Sequence, residues 1–293
     1  MARWNLVDIP NLQGKTAIVT GGNAGLGFRS ALELAQNGAG VVIGCRRPDA
    51  GREAVAKIKA RLPSAEVSAM PLNLIDLPSV KSFADDFQAR YSRLDILLNN
   101  AAVVNLPSLQ YTDLGHEMHM ATNHYGHFTL TKRLFPMLIE TSGARVVTVS
   151  STAYKAGEIR FDDMDWHERE YHRIKTYGDS KLANLLFTRG LQARFDEAGA
   201  QATSVAAHPG LTATERQQTV GIGGRFTSFI ASPVETGVAP QLRAATDPQV
   251  KSCEYYGPRF NLRGGPVPEK LKGAALDAEL AEKLWEFTDN VVG

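Results

Sequence analysis

Thr16-Ala-Ile-Val-Thr20 runs without a break into Gly21-Gly-Asn-Ala-Gly-Leu-Gly27, and Phe28-Arg-Ser-Ala-Leu-Glu-Leu-Ala-Gln36 follows. The first run is short, apolar and β-branched, the reading of a strand buried on both faces of a parallel sheet. The last has apolar residues at helical spacing. Between them Gly21, Gly25 and Gly27 lack the Cβ that would obstruct a sharp turn or the close approach of a phosphate. A helix beginning there offers free N–H groups and the positive end of its dipole to an anion. Strand, glycine loop and helix in that order predict a dinucleotide pyrophosphate site, with Asn23 and Leu26 in the same loop.

The same rhythm continues outward. Strand-like runs lie at 40–45, 67–72, 94–99, 145–150, 202–207 and 252–256, and helix-like segments at 25–37, 49–62, 78–91, 113–141, 177–198 and 233–246. Repeated βαβ units predict an α/β fold, a doubly wound parallel sheet of the Rossmann type. We expect one domain over 1–293, with a cofactor half at about 15–150 and a catalytic and substrate half at about 151–293. Two long segments, 152–176 and 211–232, follow strand C-terminal ends, where ligands bind in open α/β sheets.

The second strand ends in Cys45-Arg46-Arg47. An acidic residue at that place would hold the ribose 2′-hydroxyl of NAD. Arginine instead suits a 2′-phosphate, through charge-assisted bidentate bonds and stacking on the adenine. The expected cofactor is NADP(H), with Arg46 the principal determinant and Arg47 the second.

Composition narrows the rest. The chain has 293 residues, 43% hydrophobic and 22% charged, with a net charge of +1. Bulk charge gives no nucleic-acid signature. Two cysteines, Cys45 and Cys253, far apart and outside any ligand-spaced cluster, predict neither a disulfide framework nor a zinc site. The beginning of the sequence lacks the apolar run of a signal peptide, and no stretch has the length of a membrane span. The expectation is a soluble cytoplasmic protein without an integral membrane segment.

Further motifs fall in order along the chain. They are Asn99-Asn-Ala-Ala102, Asn123 within Ala121-Thr-Asn-His-Tyr-Gly-His-Phe128, Ser150-Ser151, Tyr177-Gly-Asp-Ser-Lys181 and His208-Pro-Gly-Leu-Thr-Ala-Thr214. Together with the glycine loop they resemble the short-chain dehydrogenase/reductase family: TGxxxGxG, NNAG, the helix asparagine, the serine strand, YxxxK and PGxxxT. The spacing of Ser151 and Tyr177, Ser180-Lys-Leu-Ala-Asn184, Tyr255-Tyr-Gly-Pro258 and Lys283-Leu-Trp-Glu286 resemble its retinol-dehydrogenase-like branch. The resemblance implies cofactor contacts at Asn73, Leu74, Asn100, Ala101, Ala102, Pro209, Gly210 and Thr214. Two positions depart from the pattern. Ala102 replaces the last glycine of NNAG, and Asn73 stands where an aspartate is usual near the adenine.

Tyr177 and Lys181 are four residues apart and share one helix face. A phenol titrates near about 10, and a neighbouring ammonium is expected to lower that value. Tyr177 would then act as general acid in reduction and general base in oxidation. Ser151 would orient the substrate oxygen, Ser151 being preferred to Ser150 on register. The resemblance adds a bond from Lys181 to the nicotinamide ribose and a place for Asn123 in a water-linked relay behind it.

The loop 211–232 carries Leu211, Ile222, Phe226, Phe229 and Ile230 around Gly223-Gly224 and reads as an apolar lid. The insertion 152–176 carries Phe161, Trp166 and Tyr171, candidates for a pocket mouth, and Asp162, Asp163, Asp165, Glu168 and Glu170, expected to form a solvated face. His116, His119, His124, His127 and His208 are expected to be ordinary surface or core residues, and no metal site is expected. The overall reading is an NADP(H)-dependent carbonyl reductase or alcohol dehydrogenase for a small hydrophobic substrate. The alternatives are reduction of an activated C=C bond and a non-catalytic NADP-binding regulator. A homodimer could form through helices 113–141 and 177–198, unless the C-terminal segment 277–291 covers them.

Overall fold

The computed structural model describes residues 4–104, 106–210, 237–260 and 264–293. Eight strands form one sheet: β1 Thr16–Thr20, β2 Gly40–Cys45, β3 Val67–Pro71, β4 Ile96–Asn99, β5 Arg145–Val149, β6 Thr203–Ala207, β7 Tyr255–Pro258 and β8 Pro266–Glu269. Their order is β3-β2-β1-β4-β5-β6-β7-β8. Neighbours are parallel through β7, and β8 alone returns antiparallel. The chain reverses its direction of travel between β1 and β4, opening the crevice in which a doubly wound sheet binds its ligand.

Helices α1 Gly25–Gln36, α2 Pro48–Arg61 and α3 Leu77–Arg90 connect the first strands. A short α4, Met118–Met120, passes through a π-helical turn at Ala121–Tyr125 into α5 Gly126–Glu140. Then come α6 Arg173–Glu197, α7 Ala239–Thr246 and α8 Ala278–Val292. Ile18, Val42, Leu97 and Val146 face one apolar layer with Phe83, Phe87, Phe128 and Phe187. Val19, Ile43, Leu98, Val147 and Val205 face the other, with Leu32, Ile58 and Leu242. Both faces of the strands are thus buried, which is why these runs are apolar throughout rather than alternating.

β8 escapes the sequence pattern because Pro266-Val-Pro268 carries two prolines. Proline is tolerated on an edge strand, where a missing N–H costs no ladder bond. The C-terminal helix lies along α5 and α6. Trp285 stacks on Phe187, centroids 5.8 Å apart, and meets Phe128 at 4.7 Å, while Arg194 pairs with Glu282 and Lys132 with Asp289. The C-terminal segment therefore covers part of the surface considered for a dimer. Among the described residues no helix is long and apolar enough to cross a membrane.

Candidate functional site

The glycine loop forms a close cradle. Gly21 and Gly25 have φ of 66° and 55°, a region that disfavours any residue with a Cβ. A Cβ on Gly27 would lie 2.4 Å from the carbonyl oxygen of Gly21, so the loop folds back on the first turn of α1 only with glycine there. Ala24, at the N-cap, supplies no side-chain cap. The first N–H groups of α1 are therefore left without that partner at the mouth of the crevice, and a pyrophosphate fits this donor set.

Thr20 joins this loop to the segment after β4. Its hydroxyl oxygen accepts the N–H of Asn100 and of Ala101, both at 2.9 Å, and the Asn100 side chain donates to the Thr20 carbonyl at 2.8 Å. Gln241 on α7 reaches Asn100 Oδ1 at 3.3 Å. Arg46 and Arg47 are exposed at the C-terminal end of β2, Arg47 preceding α2. Asn73 is half-buried and Leu74 buried beyond β3. Pro209 and Gly210 follow β6, and the Gly210 N–H donates to His208 Nδ1 at 3.2 Å. That bond leaves His208 Nε2 to donate to Glu269 on β8, 3.1 Å away, so His208 shapes the turn after β6. Thr214 and the apolar lid at 211–232 lie outside the described residues.

At the catalytic end, the turn Thr152–Ala156 rests directly on α6. A Cβ on Gly178 would lie 2.7 Å from the Ala153 carbonyl oxygen. The residue after Tyr177 must be this small for Ser151, which caps the turn, to reach the phenol. Ser151 Oγ accepts the Ala153 N–H at 3.2 Å and lies near enough to the Tyr177 phenol to lower its pKa. Ser150 turns the other way and donates to the Lys181 carbonyl at 2.8 Å. Ser151, Tyr177 and Lys181 are brought together. Asn123, fully buried on the π-turn, holds Val103 through both its N–H (2.8 Å) and its carbonyl (3.1 Å) and donates to Ser180 Oγ at 2.9 Å.

The electrostatics differ from expectation. Burial pushes the Tyr177 phenol up to about 12, only partly offset by the Ser151 hydroxyl. Burial also brings Lys181 down to about 7. The reason is direction: Lys181 Nζ donates to the Val149 carbonyl at 3.0 Å and lies 5.5 Å from the centre of the phenol ring. Desolvation therefore dominates both groups.

The insertion also differs. Asp162, Glu168 and Glu170 are exposed, but Asp163 is buried and Asp165 half-buried. Asp163 Oδ1 accepts the N–H of His167 at 2.7 Å and of Glu168 at 3.2 Å, and Asp163 Oδ2 pairs with Arg169 at 3.0 Å. Asp179, two residues after Tyr177, takes Trp166 Nε1 at 2.9 Å, the Glu158 N–H at 2.8 Å and Arg169 at 3.2 Å. Trp166 is thus an anchor in the insertion, and Phe161 packs on Phe287 of α8. Tyr171 contacts the segment after β4 by donating to the Leu106 carbonyl at 2.7 Å, and the Trp166 carbonyl accepts the Tyr111 hydroxyl of that segment at 2.9 Å.

The histidines are paired rather than incidental. His119 and Glu117, both buried, lie 2.7 Å apart, with the His119 ring 5.8 Å from that of Tyr177. His116 meets Asp165 at 3.0 Å, His124 meets Thr288 at 3.0 Å, and His127 meets Thr20 at 2.9 Å. Histidine at 119, 124 and 127 around Asn123 was the only sequence signal for these contacts; Glu269 and Asp179 had none.

Comparison with known proteins gives a consistent family. The short chain dehydrogenase family matches residues 15–222. Retinol dehydrogenase 12 of Mus musculus is 44% identical over 292 residues, covering 98% of this chain and 88% of that protein. Retinol dehydrogenase 13 of Homo sapiens is 35% identical over 291 residues, covering 96% and 86%. Among solved structures, an uncharacterized protein from Mycobacterium paratuberculosis is 35% identical with a TM-score of 0.84, covering 99% of this chain and 98% of that one. A short chain dehydrogenase from Shigella flexneri, complexed with NADP, shares the fold at 18% identity and a TM-score of 0.67, covering 85% and 99%.

Proposed function

The chain belongs to the short-chain dehydrogenase/reductase family, in its retinol-dehydrogenase-like branch, and is an oxidoreductase of alcohols and carbonyl compounds; on that premise we propose that it uses NADP(H) to interconvert a hydrophobic ketone or aldehyde and its alcohol, with Tyr177 carrying the proton. The observation that carries this reading is the meeting of Ser151 with the Tyr177 phenol, over the buried Lys181. The nicotinamide supplies or accepts the hydride when bound. The Gly21–Gly27 cradle and the N-terminus of α1 would hold the pyrophosphate. Arg46 and Arg47, exposed at the end of β2 and without an ion-pair partner among the described residues, would take the ribose 2′-phosphate.

Ser151 Oγ has one lone pair engaged by Ala153 N–H, and its hydroxyl proton is free to orient the substrate oxygen once that oxygen lies between Ser151 and Tyr177. A phenol held up near about 12 keeps its proton at neutral pH, which suits proton donation to a developing alkoxide. For the reverse reaction Tyr177 needs added positive charge nearby, from protonated Lys181 and from the oxidised nicotinamide ring.

The test is NADPH consumption with hydrophobic aldehydes and ketones, with the product identified, on the wild type and on Tyr177→Phe. Carbinol formation by the wild type, lost about 10²–10⁴-fold in the variant while NADPH still binds, supports the reading. Reduction of a C=C bond, or turnover surviving in Tyr177→Phe, overturns it.

A further inference from the structure

His127 is buried, 1% exposed, on the first turn of α5. Each of its ring nitrogens has one partner. Nδ1 lies 3.0 Å from the carbonyl oxygen of Asn123, which can only accept, so Nδ1 carries a hydrogen. Burial, helped by the charge of Lys181, holds the ring down to about 4, so it is neutral near pH 7. Nε2 is then a bare acceptor, and the group 2.9 Å from it, the Thr20 hydroxyl, must donate. This agrees with the rest of Thr20. Its oxygen accepts Asn100 N–H and Ala101 N–H, and its single proton points to Nε2 rather than to the Leu98 carbonyl at 3.3 Å.

The direction of every hydrogen bond is thereby fixed. Asn100 and Ala101 donate to Thr20, Thr20 donates to His127, and His127 donates to the Asn123 carbonyl. The Asn123 side chain donates to Ser180 Oγ at 2.9 Å, and Ser180 Oγ donates to the carbonyl of Tyr177 at 2.8 Å. No member has a spare proton to pass on, so the chain holds position and does not shuttle protons.

We propose that His127 is a positioning residue that ties the dinucleotide end of the sheet, through Thr20, to the helical turn bearing Tyr177 and Lys181, through Asn123. The inference rests on the oxidoreductase reading above for its effect on rate, but its hydrogen-bond pattern does not. The hydride and proton sites stand on different elements, the loops after β1 and β4 on one side and α6 on the other. Their relative placement must hold to a fraction of an ångström, because small misplacements carry large rate penalties. His127 joins Thr20, at the end of β1, to the turn of Asn123, whose own side chain spans Val103 after β4 and Ser180 on α6.

The test has two arms. In the wild type labelled with ¹⁵N-histidine, one ring, assigned by its loss in His127→Gln, should show a protonated Nδ1 and a bare Nε2 without titrating between pH 8 and 5. A protonated Nε2 on that ring, or titration in that range, overturns the proposal. In the second arm, His127→Phe removes both bonds. His127→Asn places an amide N–H near Nδ1, and His127→Gln places an acceptor near Nε2, each retaining one. The expected kcat order is wild type, then the two one-ended variants, then His127→Phe lower by about tenfold, on the scale of ordinary hydrogen-bond loss. The NADPH dissociation constant should hold across the series. Equal kcat per NADPH-binding site in all folded variants overturns the proposal, whatever happens to Tm. If His127→Phe does not fold, the one-ended variants and the wild-type spectrum decide. A wild type without carbonyl turnover would instead sink the oxidoreductase reading and leave the spectrum as the test of His127.

Discussion

Lys181 Nζ lies 5.5 Å from the centre of the Tyr177 ring and gives its hydrogen bond, at 3.0 Å, to the carbonyl oxygen of Val149. Asn184 donates to the same carbonyl at 3.1 Å. The lysine is therefore buried beneath the tyrosine without a carboxylate pairing it among the described residues. The proposed role of Lys181 requires a charge that the surrounding protein disfavours.

That cost has a measurable sign. Burial moves Lys181 from its ordinary 10.5 down to about 7. Between those values the unfolded chain binds a proton that the folded protein does not, so stability rises with pH across this window. Below about 7 the lysine is charged in both states and its full desolvation penalty is present. Lys181→Met should be more stable than the wild type at pH 6, with the advantage shrinking as pH approaches 10. Urea unfolding at several pH values checks this. An advantage that grows with pH would mean the lysine is not held as described.

The two adjacent serines should separate cleanly. Ser151 faces the Tyr177 phenol and lowers its pKa, whereas Ser150 is buried and bonded to the Lys181 carbonyl. Ser151→Ala should lower kcat by about 10²–10³-fold with little change in Tm, as removal of a donor to a developing oxyanion does. Ser150→Ala should lose about 1 kcal/mol of stability and keep most of its turnover. Steady-state kinetics beside thermal melts of both variants distinguish the roles.

Asp179 holds the insertion to the helix of Tyr177 through Trp166, Glu158 and Arg169. Trp166 has φ of 56°, a left-handed backbone that costs an L-residue about 1–2 kcal/mol and is held in place here by contacts. One of them is the Arg169 guanidinium, 3.9 Å from the centre of its ring. Asp179→Ala should leave Arg169 with less counter-charge and cost about 3 kcal/mol. Residues 158–171 should then exchange their amide hydrogens faster than the sheet does. Unchanged exchange there would refute the anchoring role.

The sheet was legible from the chain because strands buried on both faces are written as uninterrupted apolar runs. Ser151, Tyr177 and Lys181 were legible because a strand end and a four-residue helical spacing fix where those side chains emerge. The remainder depended on contacts that no local pattern encodes. Asp163 looked solvated in an acidic stretch, and it is Arg169 folding back that buries it. The phenol was expected to fall in pKa, and it rises because it is buried, while Lys181 Nζ turns to the Val149 carbonyl. β8 was hidden by its prolines, and with it Glu269, which reaches His208 across a position where any Cβ on Gly257 would lie 2.0 Å from His208 Nε2.

Cofactor choice offers the last separation, because it is proposed to rest on charge at one exposed position. Arg46 stands at the end of β2, exposed, where the ribose of a bound dinucleotide would carry its 2′-substituent. A guanidinium there gains a charge-assisted bidentate bond with a phosphate but only a weak contact with a hydroxyl. Arg46→Ala should therefore lower kcat/KM with NADPH by about 10–100-fold, one such bond contributing roughly 1.5–3 kcal/mol, and leave kcat/KM with NADH nearly unchanged. The loss should lie in KM for the cofactor, since the contact is the same in ground and transition states. Arg47→Ala should move the ratio the same way by less. A ratio of the two cofactors unchanged in Arg46→Ala would show that the 2′-phosphate is recognised elsewhere or not at all.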